Sequence, residues 1–253
     1  MTVDREILLA TFNEMLQPER FQDYGPNGLQ VEGRRAIGKL VSGVTASRAF
    51  IDAATDAGAD AVFVHHGLFW RGQKVVLTGW LKERVKRLLA CDISLFAYHL
   101  PLDAHRELGN NAQLGRVLGL TPQSTFGAQD LGMMGERTTG GAFDRAASLA
   151  QHLELTLNRN VIAVGEPAHP IRRIAWCTGG AQNYFEAAID AGADAFITGE
   201  ISEPQAHLAR ECHVAFFACG HHATERYGAP ALAGAVAARF GIAHEFIDID
   251  NPA

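Results

Sequence analysis

The sequence predicts an α/β protein built as two pseudo-repeated three-layer αβα lobes. Two observations predict it. From Lys39 onward, segments of strand composition alternate with segments of helical spacing, the pattern of a parallel sheet crossed right-handed by its connections. A block of that pattern also occurs twice. Asp52-Ala53-Ala54-Thr55-Asp56-Ala57-Gly58-Ala59-Asp60-Ala61 lines up with Glu186-Ala187-Ala188-Ile189-Asp190-Ala191-Gly192-Ala193-Asp194-Ala195, and only the first and fourth positions differ. Upstream, Leu40-Val41-Ser42-Gly43 faces Ile174-Ala175-Trp176-Cys177; downstream, Leu95-Phe96-Ala97-Tyr98-His99 faces Phe216-Phe217-Ala218-Cys219-Gly220-His221. Three elements recurring in one order mark an internal repeat. The lobes are placed at 1–125 and 126–253, with terminal elements able to cross between them, and a pseudo-twofold relates them.

Taken in order, 6–16 has the apolar spacing of a helix, which Pro18 ends. Asp23-Tyr24-Gly25-Pro26-Asn27-Gly28-Leu29-Gln30 is a loop fixed by Pro and Gly. Gly33 to Lys39 imitates a phosphate-binding loop by spacing alone. It lacks the Ser/Thr that would hold Mg²⁺, because Leu40 stands there, and its Lys enters a strand. Strands follow at 40–44, 61–64 and 93–98, and helices at 47–57, 80–90 and 110–118. Segment 121–141, with five glycines, reads as a flexible connector. A helix at 143–153, a strand at 161–164, and a closing helix (229–240) and strand (244–249) complete the second half.

Composition narrows the function. In 253 residues, 47% hydrophobic and 20% charged, there is room for one large core or two modest ones of the soluble globular type. A net charge of -6 and the lack of a basic run argue against nucleic acid as a partner. No apolar run approaches the ~20 residues of a membrane helix, and the charged N-terminus lacks a signal peptide's apolar core. Cys91, Cys177, Cys212 and Cys219 show no CxxC spacing, so the expected setting is a reducing cytoplasm.

Candidate chemistry collects where strands end, which is where open α/β sheets bind ligands. Ala61-Val62-Phe63-Val64 runs into His65-His66-Gly67. Adjacent side chains on an extended chain point to opposite sides, so the two imidazoles suit two ligation directions. The next strand leads to His99-Leu100-Pro101-Leu102-Asp103, read as an ordered loop because Pro101 keeps Leu100 out of the helical region. In the second lobe Gly199-Glu200 takes the place of the His pair, and the last strand leads to Gly220-His221-His222-Ala223-Thr224-Glu225. Glu225 falls in the first turn of the final helix, close to His221. Each piece has a bland reading as a turn cap or surface histidine. His222 reads as facing the sheet; Glu200 and His207 face the site by position, with structural roles as the competing reading. Together, imidazoles and carboxylates at three strand ends fit a mixed N/O site for Zn²⁺, Mn²⁺ or Fe²⁺, and a carboxylate can bridge two cations where an imidazole cannot.

These residues resemble the dinuclear-metal family of GTP cyclohydrolase I type 2 homologues, the NGG-interacting-factor-like proteins. The resemblance spans nearly the whole chain. It is carried by Gly28-Leu29-Gln30-Val31, His65-His66-Gly67, the His99-to-Asp103 loop, Thr198-Gly199-Glu200 and Gly220 to Glu225. It implies two divalent ions per subunit (Zn²⁺, Mn²⁺, Fe²⁺ or Mg²⁺) held between the lobes by His65, His66, Asp103, His221 and Glu225, with Glu225 bridging. It also implies a homohexameric ring. The function expected from this is metal-dependent hydrolysis of a small molecule, a nucleotide among the candidates, in the cyclohydrolase manner. His99 is the expected catalytic acid, and Phe69 or Trp70 a stacking surface for a base. Two alternatives stand beside it: a two-metal phosphoesterase or amidohydrolase, and a non-catalytic metal-binding regulatory or scaffold ring.

Overall fold

The computed structural model describes residues 1–253. In chain order its strands are β1 (Val3–Asp4), β2 (Gly28–Val31), β3 (Ala36–Ile37), β4 (Lys39–Thr45), β5 (Ala61–His66), β6 (Ser94–Ala97), β7 (Leu120–Phe126), β8 (Gly132–Arg137), β9 (Ile162–Val164), β10 (Ile174–Trp176), β11 (Ala195–Thr198), β12 (Ala215–Ala218) and β13 (Ala243–Phe246). Its helices are α1 (Arg5–Leu16), α2 (Arg48–Asp56), α3 (Gly79–Ala90), α4 (Leu100–Ala104), α5 (Asn110–Leu118), α6 (Ala146–Leu157), α7 (Phe185–Asp190), α8 (Glu203–Glu211), α9 (His221–Glu225) and α10 (Gly228–Phe240). No helix is long and apolar enough to cross a membrane.

The chain divides into two units, and the division differs from the expected 1–125 and 126–253. One unit is Met1–Gly109 with Gly228–Asp250; the other is Asn110–Tyr227 with Asn251–Ala253. The first changeover therefore comes before α5, and α10 and β13 return to the first unit.

In the first unit a five-stranded sheet runs β13-β4-β5-β6-β2. β4, β5 and β6 are mutually parallel, β13 joins β4 in parallel, and β2 caps the far edge antiparallel to β6. The alternation of side chains across the sheet sorts the core into two layers. Leu40, Phe63, Phe96 and Tyr98 pack with Leu8 and Phe12 of α1 and Leu232 and Val236 of α10. Val41, Val62, Val64 and Leu95 pack with Phe50 and Ile51 of α2 and Leu81, Val85 and Leu88 of α3. This is the αβα sandwich that the alternating pattern predicts. Ser47 caps α2 by accepting a hydrogen bond from the Phe50 amide (3.1 Å).

The second unit repeats the plan. β10, β11 and β12 are parallel in the order of β4, β5 and β6, and β9 caps β12 antiparallel, as β2 caps β6. Ile174, Trp176, Ile197 and Phe217 pack against α5 and α6 through Leu114, Leu118, Leu149 and Leu153. On the opposite face Phe185 of α7 meets Phe196 and Phe216 at centroid distances of 5.8 and 4.9 Å.

Two expectations need correction. Segment 121–141 is largely a paired hairpin and not a flexible connector: β7 pairs antiparallel with β8, and β8 with β10. Four consecutive β7 residues, Thr121 to Ser124, are exposed, and Pro122 sits beside a register shift, as an edge strand allows. The glycines serve close packing, since a Cβ on Gly132 would strike the Phe126 ring and one on Gly135 the Thr121 carbonyl. The His99-to-Asp103 stretch is likewise helical. Pro101 falls in the first turn of α4, where its missing N–H costs nothing.

Candidate metal centre

The repeat places chemistry at equivalent points. In both units the second parallel strand delivers a pair of residues at its end, His65-His66 closing β5 and Gly199-Glu200 just past β11. The third parallel strand of each runs into a five-residue helix, α4 or α9. Each short helix carries a buried carboxylate, Asp103 in α4 (7% exposed) and Glu225 in α9 (2%).

In the first unit three imidazoles cluster. His65 and His66 have ring centroids 4.5 Å apart, and His99 lies 4.9 Å from His65 and 5.7 Å from His66. One ligand nitrogen from each lies within 4.8 Å of the others. The rings of the His pair therefore converge, where the alternation of an ideal strand would send them apart. Both residues still lie within β5, His66 in register with Thr45. Every ring is held from behind through Nδ1. His65 Nδ1 lies 3.2 Å from the Tyr98 carbonyl, which can only accept, so this nitrogen carries the proton. His66 Nδ1 bonds the Thr45 hydroxyl at 3.0 Å, and His99 Nδ1 bonds Asp23 Oδ1 at 2.7 Å. The carbonyl and the carboxylate only accept, so they fix Nδ1–H on His65 and His99, whereas the Thr45 hydroxyl permits either tautomer of His66; backing of this kind is how ligand histidines are generally oriented. Asp103 brings Oδ1 to 3.5 Å from His65 Nε2.

Asp23 was not marked as a site residue in the sequence. Its carboxylate also accepts from the Leu100 amide (2.9 Å) and the Asn27 amide group (2.9 Å), so it pins both the His99 ring and the start of α4. Burial pushes its carboxyl upward, but the hydrogen bonds and charge from His99, with those of Asn27 and Tyr24, outweigh burial and hold it below the usual carboxylate range. The available signal was an Asp four residues before an Asn in a Gly/Pro loop, a pattern as common in ordinary turns.

In the second unit His221 stands between two carboxylates. Its Nδ1 bonds Glu200 Oε1 at 2.6 Å and its Nε2 lies 3.1 Å from Glu225 Oε2. Burial works against a charged ring here, but Glu225 and then Glu200 overcome it and push His221 up to about 9. Glu200 thus serves as an orienter of His221, the structural of its two readings. Glycines shape the floor. Gly179 has φ +70°, and a Cβ there would collide with the Glu225 carboxylate. The Gly179 amide donates to Thr224 Oγ1 (3.0 Å), and the Thr198 hydroxyl donates to the Gly179 carbonyl (3.1 Å), tying the turn to α9. Glu225 ends α9, one turn past His221, and does not open the final helix α10. His207 does not join the site. It pairs with Glu203 one turn earlier on α8 (2.8 Å), with 60% of its side chain exposed. His222 is buried.

Comparison with known proteins fits this geometry. The Duf34/NIF3 (NGG1p interacting factor 3) family matches residues 3–252. The chain belongs to that family. A Neisseria meningitidis serogroup A protein named GTP cyclohydrolase 1 type 2 homolog is 52% identical over 252 residues, 98% of this chain and 99% of its own. A Pseudomonas aeruginosa protein of the same name is 49% identical across the full length of both chains. Among solved structures, protein ybgI, of unknown function, superposes with a TM-score of 0.93 at 46% identity, covering 99% of this chain and all of its own. A Thermus thermophilus protein superposes at 0.85 and 31% identity, again over 99% and 100%.

The residues present suit a metal. Three Nδ1-backed imidazoles with a buried Asp, and an imidazole with a buried Glu, make a donor set of the mixed N/O kind that divalent transition ions take.

Proposed function

We propose that this NIF3-family protein binds two divalent metal ions and hydrolyses a small molecule with them. The observation that carries the reading is the common backing of the site's histidines: four rings each have Nδ1 engaged by a carbonyl, hydroxyl or carboxylate. Histidines that only fill space or cap turns have no reason to share one orientation.

The residues that would hold the ions are His65, His66, Asp103, His221 and Glu225. Bound divalent ions supply Lewis acidity and acidify water near neutral pH. The protein's own work is positional and protonic. Tyr98 O, Thr45 and Glu200 hold the ligand rings, and Gly179 leaves room for the Glu225 carboxylate. His99 is the proton-transfer residue. With Nδ1 committed to Asp23, its Nε2 takes a proton and returns it to the leaving group, and the Asp23 carboxylate stabilises the charged ring between those events. The substrate is a small electrophile, with a nucleotide as the first candidate in view of the name that the relatives carry. A homohexameric assembly in the cytoplasm completes the reading.

Elemental analysis of the purified protein is the test. Two equivalents of metal are expected in the native chain and a sharp loss in Glu225→Gln. Two ions retained in that variant would overturn the ligand assignment. Turnover of nucleotides, phosphoesters or amides that is lost on chelation and restored by Mn²⁺ or Zn²⁺ supports the hydrolase. No turnover on any class with metals bound would replace it with a regulatory or scaffold metal protein.

A further inference from the structure

Past the imidazole cluster the chain continues Gly67-Leu68-Phe69-Trp70-Arg71, and the last two residues face chemistry that the metal reading leaves unused. Trp70 is half-buried and meets His99 edge-on at 5.1 Å and His66 at 5.9 Å. It lines one narrow crevice with His65, His99 and Pro26. Gly25 lies against it so closely that a Cβ there would press on the Phe69 carbonyl and the Trp70 ring.

Arg71 borders the adjoining cavity, an open space of about 440 Å³ that it shares with Phe21, Gln22, Asp23 and Asn27. The two spaces meet at Gly25. Arg71 is clamped at both levels, its amide donating to the Tyr24 carbonyl (2.6 Å) and its Nη2 to the Asp23 carbonyl (2.7 Å). Arg34, Arg35 and Arg48 each hold a carboxylate, whereas Arg71, like Arg159 and Arg173, bonds backbone carbonyl oxygen. The Arg71 guanidinium has only that backbone carbonyl, so its charge is held in place without a counter-charge. A fixed guanidinium with spare donors is suited to phosphate or carboxylate, which it can grip through two N–H groups at once.

We propose that Trp70 and Arg71 form the substrate-binding subsite beside the imidazole cluster, taking a ligand with a flat ring and an attached phosphate. The ring stacks on or against Trp70, where base–aromatic contacts are worth most. The phosphate occupies the cavity at Arg71, and the linking atoms lie toward His99. This rests on the metal-site reading for the chemistry but concerns recognition alone.

The test is calorimetric titration of the metal-loaded full-length chain with guanosine 5′-monophosphate and with guanosine, with metal content measured on every sample. Arg71→Gln is expected to weaken the monophosphate roughly tenfold or more, the scale of a lost charge-assisted pair, and to leave guanosine unchanged. Arg71→Lys should fall between, keeping the charge without the fork. Trp70→Ala should weaken both ligands. Retained metal with no monophosphate binding in the native chain, or equal binding by native and variant chains, overturns the subsite and leaves the metal reading intact. Loss of metal in Arg71→Gln also overturns it, because Arg71 would then act by bracing the Asp23 turn. A native chain without metal would instead count against the proposed function.

Discussion

The two units place donors at matching points of one topology and tune them in opposite ways. The first gathers three imidazoles and gives each a neutral or carboxylate backing, with Asp23 charged beneath His99. The second sets one imidazole between two carboxylates, so that the ring holds a proton near neutrality. The first arrangement suits a cation from outside, because three ligand nitrogens lie within 4.8 Å of one another. In the second the proton occupies the centre of the negative charge and a metal must displace it. Matching positions also change role: His66 reads as a ligand where Glu200 braces His221. The repeat therefore conserves where chemistry sits and not what it is.

Breaking the second unit's floor should have the largest effect. Gly179→Ala puts a side chain into the Glu225 carboxylate at a left-handed position, a backbone cost of about 1–2 kcal/mol for a residue with a Cβ. The expected outcome is a lower melting temperature together with loss of metal, read by calorimetry and elemental analysis. A fully loaded variant would show that Glu225 does not need this cradle. Removing the backing in the first unit is next. Asp23→Asn keeps the shape of the side chain but removes the charge that steadies the protonated His99 ring, and a loss of turnover of roughly 100-fold with metal content unchanged is expected, the usual size for a proton-transfer residue. Kinetics at saturating metal, with elemental analysis of each sample, measure it; unchanged turnover would remove His99 and Asp23 from proton transfer, and loss of metal would place His99 among the ligands instead.

The smallest effect tests the contrast in charge. In the metal-free chain the folded value of His221 is raised from 6.5 to about 9. A raised group stabilises the fold fully below its unfolded value, and that contribution disappears as pH climbs through the folded one. Chemical denaturation of the metal-free protein should therefore show stability falling between pH 6.5 and about 9, with the slope reduced in His221→Gln. Equal slopes in both proteins would assign the trend to other groups.

Much of this was legible in the residues. Alternation and repeat gave the layers, and strand ends gathered His65, His66, His99, Asp103, Glu200, His221 and Glu225 as candidates, because open α/β sheets bind ligands beyond the carboxyl ends of their strands; the ligand set within that list came from the family resemblance. The hairpin at Leu120–Arg137 was hidden because β7 is an exposed edge strand whose residues lack apolar alternation, while the glycines of β8 imitate a linker. The helix at 100–104 was hidden because Pro101 has opposite meanings inside a helix and in its first turn. Asp23 was hidden by distance: it lies 76 residues before His99, and no local pattern joins a turn aspartate to an imidazole that far along the chain.

The return of α10 and β13 to the first unit has a consequence for how the chain is made. β13 lies beside β4 through residues 243–246, made after the whole stretch from 110 to 227, and α10 covers the Leu40 and Phe63 side of the same sheet. The whole stretch from 110 to 227 is synthesised while that sheet still shows an open parallel edge and an apolar face covered by α1 but not by α10. The sheet of the second unit, complete with β12, can thus close first although it is encoded second. A chain cut short after Tyr227 keeps every proposed ligand yet leaves the β4 edge exposed, as a template for pairing with another chain.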